Sequence, residues 1–182
     1  MRTIKQTALK FIALISLASP WQLTAQQAEL KIGDIAPAFS LHDQDNKLHT
    51  LDHYQKKWLV IYFYPKDDTP GCTQQACNFR DDIVQIRQLK AEVIGISIDD
   101  IDSHKHFADK YSLPFPLLAD PDGLTAKEYD AFFSLGPLKF ARRHSFIISP
   151  DSKIAKIYRQ VDTQSHSKDI INALNQLINK DQ

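Results

Sequence analysis

Seven consecutive residues, Trp58-Leu59-Val60-Ile61-Tyr62-Phe63-Tyr64, are apolar, β-branched or aromatic. A strand of that composition has no polar face, so it must be covered on both sides. Pro65 stops the run. Ala76, Phe79, Ile83, Ile86 and Leu89 then recur at helical spacing, which predicts a helix with one core-facing stripe. Between strand and helix lies Pro65-Lys66-Asp67-Asp68-Thr69-Pro70-Gly71-Cys72-Thr73-Gln74-Gln75-Ala76-Cys77, which holds both cysteines of the chain. Cys72 therefore sits where a strand gives way to a helix, beside unpaired backbone N–H groups and the positive end of the helix dipole.

The local chemistry follows residue by residue. Thr69 suits the N-cap, and Pro70 suits the first helical position, where a missing N–H costs nothing. Cys72 then falls in the first turn. Free N–H donors there favour a thiolate, and a thiol pKa of ~8.5 drops to roughly 3.5–7.5 in such places. The thiolate is the nucleophilic form, so the position predicts reactivity. Cys77 lies five residues on, which on an ideal helix sets the two Cα atoms about 8–9 Å apart and turns the side chains ~140° from each other. A disulfide needs Cα atoms within about 7 Å. The two sulfurs can bond only if the first helical turns unwind. Three readings of the pair stand open at this point: a structural disulfide, a metal site and a redox pair. The metal reading lacks histidines near the cysteines in sequence.

The string Pro65-x-x-x-Thr69-x-x-Cys72 resembles the active-site signature of the peroxiredoxins, thiol peroxidases of the thioredoxin fold. The longer stretch from Tyr64 to Asp81 is similar to the bacterioferritin-comigratory or peroxiredoxin Q branch, where a second cysteine often lies five residues after the first. The similarity runs from about Ile32 to Leu177. It implies an α/β, thioredoxin-like fold: a central mixed sheet flanked by helices, with an N-terminal β-hairpin. It also implies roles. Cys72 attacks a peroxide and becomes a sulfenic acid. Cys77 resolves it as an intramolecular disulfide. Thr69 accepts from the peroxide and donates to the sulfur. Pro65 shields the thiolate. The family's arginine, three residues before a strand phenylalanine, maps onto Arg143 ahead of Phe146 and would lie beside Cys72, with Arg142 the competitor one residue away. Gln75 is expected near Arg143. No metal or organic cofactor is implied. A thioredoxin-like protein is the implied reductant, and a monomer the implied state.

The remaining segments suit that order. Gly33-x-x-Ala36-Pro37-x-Phe39-x-Leu41 resembles the family's opening. Phe39 to Leu41 and Lys47 to Leu51 are expected as a hairpin ahead of the main sheet, with a turn at Asp43 to Asn46. Val93 to Ile98 reads as a buried strand. Ser103 to Tyr111 reads as a helix capped near Asp102 or Ser103. Its His104 and His106 are i and i+2, do not face each other, and are expected on a solvated helix surface. Pro114 to Asp120 resembles a family strand and turn, and Leu124 to Tyr129 reads as a brief helix. Phe132 to Ala141 is expected to be an apolar, irregular connection. Strands are expected into Ile148 and over Lys153 to Tyr158, then an amphipathic helix over Ser165 to Asn179. His144 is expected to be structural or exposed.

The chain has 182 residues, 43% of them hydrophobic, enough for one globular domain with a core of its own. Formal net charge is zero, which gives no reason to expect nucleic acid as a partner. The N-terminus reads separately. Arg2, Lys5 and Lys10 precede the short apolar run Phe11 to Ala18, about half the ~20 residues of a membrane span. Residues 1–25 are expected to be a signal peptide cleaved near Ala25 or Ala28, with an uncleaved anchor as the alternative, leaving 26–182 as the domain. Removal of 1–25 takes away three basic and no acidic residues, so the net charge becomes −3. An exported, periplasmic protein would meet an oxidising space in which a disulfide persists. Two rival functions remain: a thioredoxin-like disulfide oxidoreductase, which would use Cys-x-x-Cys, and a catalytically silent exported domain of the same fold.

Overall fold

In the computed structural model, which describes residues 29–180, the apolar run forms a strand over Trp58–Phe63 with every residue buried. The chain order is β1 (Ser40–Asp43), β2 (Leu48–Thr50), a 3-10 turn (Leu51–Tyr54), β3 (Trp58–Phe63), α1 (Pro70–Gln88), β4 (Ala91–Ser97), α2 (Ile101–Tyr111), β5 (Leu117–Ala119), α3 (Leu124–Glu128), β6 (Phe132–Leu135), β7 (Leu138–Ala141), β8 (Ser145–Ile148), β9 (Ile154–Tyr158) and α4 (His166–Lys180). The expected signal peptide, residues 1–25, lies outside the described residues.

Among the described residues the strands form a seven-stranded sheet in the order β2-β1-β5-β4-β3-β8-β9. β3, β4 and β5 run parallel, and the other pairings are antiparallel. The sheet is mixed and flanked by helices, as expected. Alternate residues of β3 enter opposite layers, as the period of two requires. Val60, Tyr62 and Tyr64 pack with Phe79, Ile83 and Ile86 of α1, Phe107 of α2 and Ile170, Ile171 and Leu174 of α4. Leu59, Ile61 and Phe63 pack on the other side with Leu51, Tyr54, Ala126, Tyr129 and Phe146.

The structure adds to or departs from the sequence expectations in several places. The N-terminal hairpin of β1 and β2 forms as expected and also joins the main sheet. β1 pairs antiparallel with β5, His42 opposite Ala119, and so extends it. α2 begins at Ile101, and Asp100 caps it by accepting from the Ser103 N–H at 2.8 Å. The segment Phe132 to Ala141 is a regular hairpin. Phe133 and Phe140 stack at 4.7 Å, and Gly136 takes the left-handed conformation that a tight turn before Pro137 needs. His104 is not on a solvated surface. It is fully buried, whereas His106 is exposed.

Gly95, opposite Tyr62 in the parallel β3–β4 pair, shows how closely this sheet is covered. A Cβ there would stand 2.8 Å from the Tyr62 ring and hydroxyl and 2.9 Å from Leu117. Overpacking of that kind costs about 1–3 kcal/mol. Gly95→Ala is therefore expected to lower the urea midpoint by that stability without altering the slope. An unchanged midpoint would show that the ring has room to move.

Candidate active site

Thr69 stands at the N-cap of α1 in extended backbone, Pro70 follows at the first helical position, and Cys72 is in the first turn, as expected. The first helical bond runs from the Thr73 N–H to the Thr69 carbonyl at 2.9 Å. The N–H groups of Gly71 and Cys72 precede it and have no carbonyl within the helix. Cys72 is buried, 1% exposed, in the layer beneath α1.

The Thr69 side chain departs from expectation. Its hydroxyl neither caps the helix nor donates to sulfur; it donates to the Lys66 carbonyl at 3.0 Å. The oxygen lone pairs remain available as acceptors. Pro65 opens the same loop, half-buried, directly after Tyr64.

Arg143 is brought to Cys72 by the sheet. β8 pairs with β3, Tyr62 opposite Ser145, and the His144 carbonyl accepts the Phe63 N–H at 2.8 Å. The residue two before Ser145 therefore lies past the end of β3, where α1 begins. Its guanidinium donates through Nη2 to Cys72 Sγ at 3.3 Å and through Nη1 to Gln75 Oε1 at 2.7 Å. Gln75 is fully buried one turn along α1, where sequence reasoning expected it. Gly71 completes the seat, because a Cβ there would stand 3.3 Å from Nη2. Arg142, the competitor, points elsewhere and lies over the Phe133 ring at 5.7 Å. His144 is buried. Burial, helped by Arg159 and Arg142, pushes its pKa down.

Cys72 and Cys77 are both free. α1 is continuous through them, so helical geometry holds their Cα atoms about 8–9 Å apart. Among the described residues no group of three or more His, Cys, Asp or Glu is placed to hold a metal ion, and no helix is long and apolar enough to cross a membrane. Sequence reasoning missed the residues behind the loop. Asp67 is 7% exposed and binds Tyr64, Ser103 and His104, although nothing local in the sequence signals a buried carboxylate.

Residues 32–157 match the AhpC/TSA family. A chloroplastic peroxiredoxin Q of Populus jackii is 38% identical over 177 residues, covering 93% of this chain and 81% of that protein. The solved structure of a cysteine-to-serine mutant of Xylella fastidiosa PrxQ superposes with a TM-score of 0.78 at 31% identity, covering 83% of this chain and 99% of that one. That of the Xanthomonas campestris bacterioferritin comigratory protein, described with alkyl peroxide reduction activity, gives 0.73 at 29% identity over 76% of this chain and 91% of that one.

His166, under α1, supplies a pH test of this packing. It bonds Ser145 Oγ at 3.0 Å and packs edge-on against Phe79 and Tyr158. Burial pushes its pKa down from 6.5 to about 4, helped by Arg143 and opposed by Asp169. The unfolded chain therefore binds this proton first as pH falls. Stability from the neutral ring is complete above about pH 6.5 and is lost between there and about pH 4. The expected slope in that window is at most ~1.4 kcal/mol per pH unit. Denaturant melts of wild type and His166→Gln across pH 4–7 check it, and parallel curves would refute the assignment.

Proposed function

The chain belongs to the AhpC/TSA family and is a peroxiredoxin of the peroxiredoxin Q branch, a thiol peroxidase, and on that premise we propose that Cys72 is its peroxidatic residue and Cys77 its resolving one. The observation that carries this reading is the 3.3 Å donation from Arg143 to a buried sulfur at the mouth of α1. The Cys72 thiolate attacks the terminal oxygen of H2O2 or an organic hydroperoxide. The O–O bond breaks, sulfur keeps the hydroxyl as a sulfenic acid, and the leaving oxygen takes a proton as water or alcohol. Thr69 accepts from the peroxide O–H, since its own proton is held by the Lys66 carbonyl. Arg143 and the N–H groups of Gly71 and Cys72 stabilise charge on the oxygens as the bond breaks. Pro65 screens the sulfur from water.

Resolution needs movement. The first turns of α1 unwind, Cys77 attacks the sulfenic sulfur, water leaves, and a Cys72–Cys77 disulfide forms. A thioredoxin-like dithiol protein returns the two electrons. The enzyme acts as a monomer without metal or organic cofactor. Residues 1–25 export it to the periplasm and are cleaved near Ala25 or Ala28.

Stopped-flow oxidation tests the roles. Cys72→Ser is expected to abolish peroxide consumption. Cys77→Ser is expected to keep the first step and lose turnover with a dithiol-protein donor; normal turnover would remove Cys77 from the mechanism. Arg143→Lys loses the paired donation to sulfur and Gln75, and is expected to slow the first step roughly 10²-fold. Export has its own test. Protein from the periplasmic fraction should begin at residue 26 or 29, and an intact Met1 terminus there would sink the cleavage.

A further inference from the structure

The loop that carries Thr69 is held from behind by a buried polar cluster with no described contact to the sulfur. The Asp67 carboxylate accepts from the Tyr64 hydroxyl at 2.7 Å, from Ser103 Oγ at 2.8 Å and from His104 Nδ1 at 2.8 Å. Burial and the neighbouring Asp67 push the Tyr64 pKa well above its usual value, so the phenol stays a donor. The Asp67 N–H donates to Asp99 Oδ2 at 2.9 Å, and Ser97 Oγ donates to the same oxygen at 2.6 Å. Asp68 takes a left-handed conformation and binds Lys110 of α2 at 2.9 Å.

The 66–67 peptide links this cluster to the chemistry. A peptide is planar, so fixing its N–H fixes its C=O on the opposite side. Asp99 holds the N–H of this peptide, and Thr69 donates to its C=O. The direction of the Thr69 lone pairs thus depends on Asp99 through the peptide and on Asp67 through the adjoining Cα. The only other side-chain polar contact described for His104 is a 3.4 Å approach of the Tyr64 hydroxyl to the same Nδ1. It is fully buried on α2, and its Nε2 has no partner among the described residues. An unpaired buried polar atom carries a desolvation cost that an apolar residue would not.

We propose that His104, acting on Asp67, and Asp99, acting on the 66–67 peptide, are positioning residues that aim the Thr69 hydroxyl at the peroxide. This rests on the role of Thr69 given above. The cluster spans the residue after β3, the end of β4 with the loop after it, and α2, none of which has to unwind when Cys72 and Cys77 join. It therefore restores the same hydroxyl geometry each time α1 rewinds.

The test uses full-length protein carrying Cys77→Ser, which isolates the first step, with quenched-flow mass detection of sulfenylated Cys72. His104→Gln moves the donor to the Nε2 place and is expected to slow oxidation by H2O2 roughly 10- to 100-fold. His104→Asn keeps a donor at the Nδ1 place and is expected to restore most of the rate. Alkylation of Cys72 by iodoacetamide, which needs no Thr69 hydroxyl, is expected to be unchanged in both. In a Thr69→Val background, His104→Gln is expected to cost no more than about a factor of two, the limit of ordinary additivity. Equal losses of peroxide and iodoacetamide reactivity, no recovery with Asn, or an undiminished cost in Thr69→Val would overturn the proposal while leaving the role of Thr69 intact. A Thr69→Val protein that reacts at the full rate would overturn that role and this proposal together. Should His104→Gln fail to fold, Asp99→Ala reads the same chain from the other side, with the same expected loss and the same cycle.

Discussion

The register between β3 and β8 is what the rest of the site depends on. Arg143 reaches Cys72 because Tyr62 faces Ser145 across that pair. A slip of one residue would turn every side chain of β8 to the other face. Phe146 would leave the layer of Ile61 and Phe63, and the guanidinium would leave the sulfur. The apolar pattern that buries the sheet is therefore the same pattern that aims the cation. Folding and reactivity rest on one set of hydrogen bonds, and the small side of Gly71 lets the guanidinium close on the sulfur.

The proposed mechanism sets opposed demands on the first turns of α1. In it they hold Cys72 on Arg143 and then unwind for Cys77. The polar ties of the helix are graded to suit. Beyond Cys77, Asn78 donates to the carbonyls of Thr163 and Gln164, Arg80 to that of Tyr111, and Arg87 to that of Pro114. Asp82 accepts from Ser167 and Lys168 of α4. Ahead of Thr69, Asp67 and Asp68 are bound to α2. Between these anchors the described side-chain ties to other elements are those of Arg143 to Cys72 and Gln75. One of those two ends on the sulfur itself. Chemistry at Cys72 would therefore act directly on one of the two ties that hold the turn closed.

Much of this was legible in the sequence because its signals are local. The run Trp58 to Tyr64 is long, apolar and β-rich, so it can only be a covered strand. Thr69-Pro70 marks the helix start to the residue, and the stripe from Ala76 to Ile86 is its buried face. Arg143 needed the resemblance, because a lone arginine before a strand carries no signal of its own. What was illegible is non-local. His104 reads as one of two histidines on a charged helix, and its partner Asp67 is 37 residues away. The joining of β1 to β5 depends on a strand more than seventy residues on. The hairpin Phe132 to Ala141 hides because its strands are short and two of its aromatic rings, Phe133 and Phe140, cover each other. Thr69 has a capping residue's identity and position, yet its hydroxyl turns to Lys66; identity alone does not say which of two acceptors a hydroxyl will choose.

That last choice bears on how a loop can carry chemistry. Loops are usually the mobile part of a fold, and a hydroxyl on a mobile loop is a poor acceptor for a small substrate because each encounter must find it in place. Here the loop is fixed by exchanging solvent for a buried carboxylate with all its donors supplied from neighbouring elements. A carboxylate held by three donors is directional in a way that an apolar core is not, so it specifies one arrangement rather than a family of similar ones. In the proposed mechanism the helix that moves begins immediately after the loop that does not. Placing the polar cluster on α2 and past the ends of β3 and β4, instead of on α1, lets the two be neighbours.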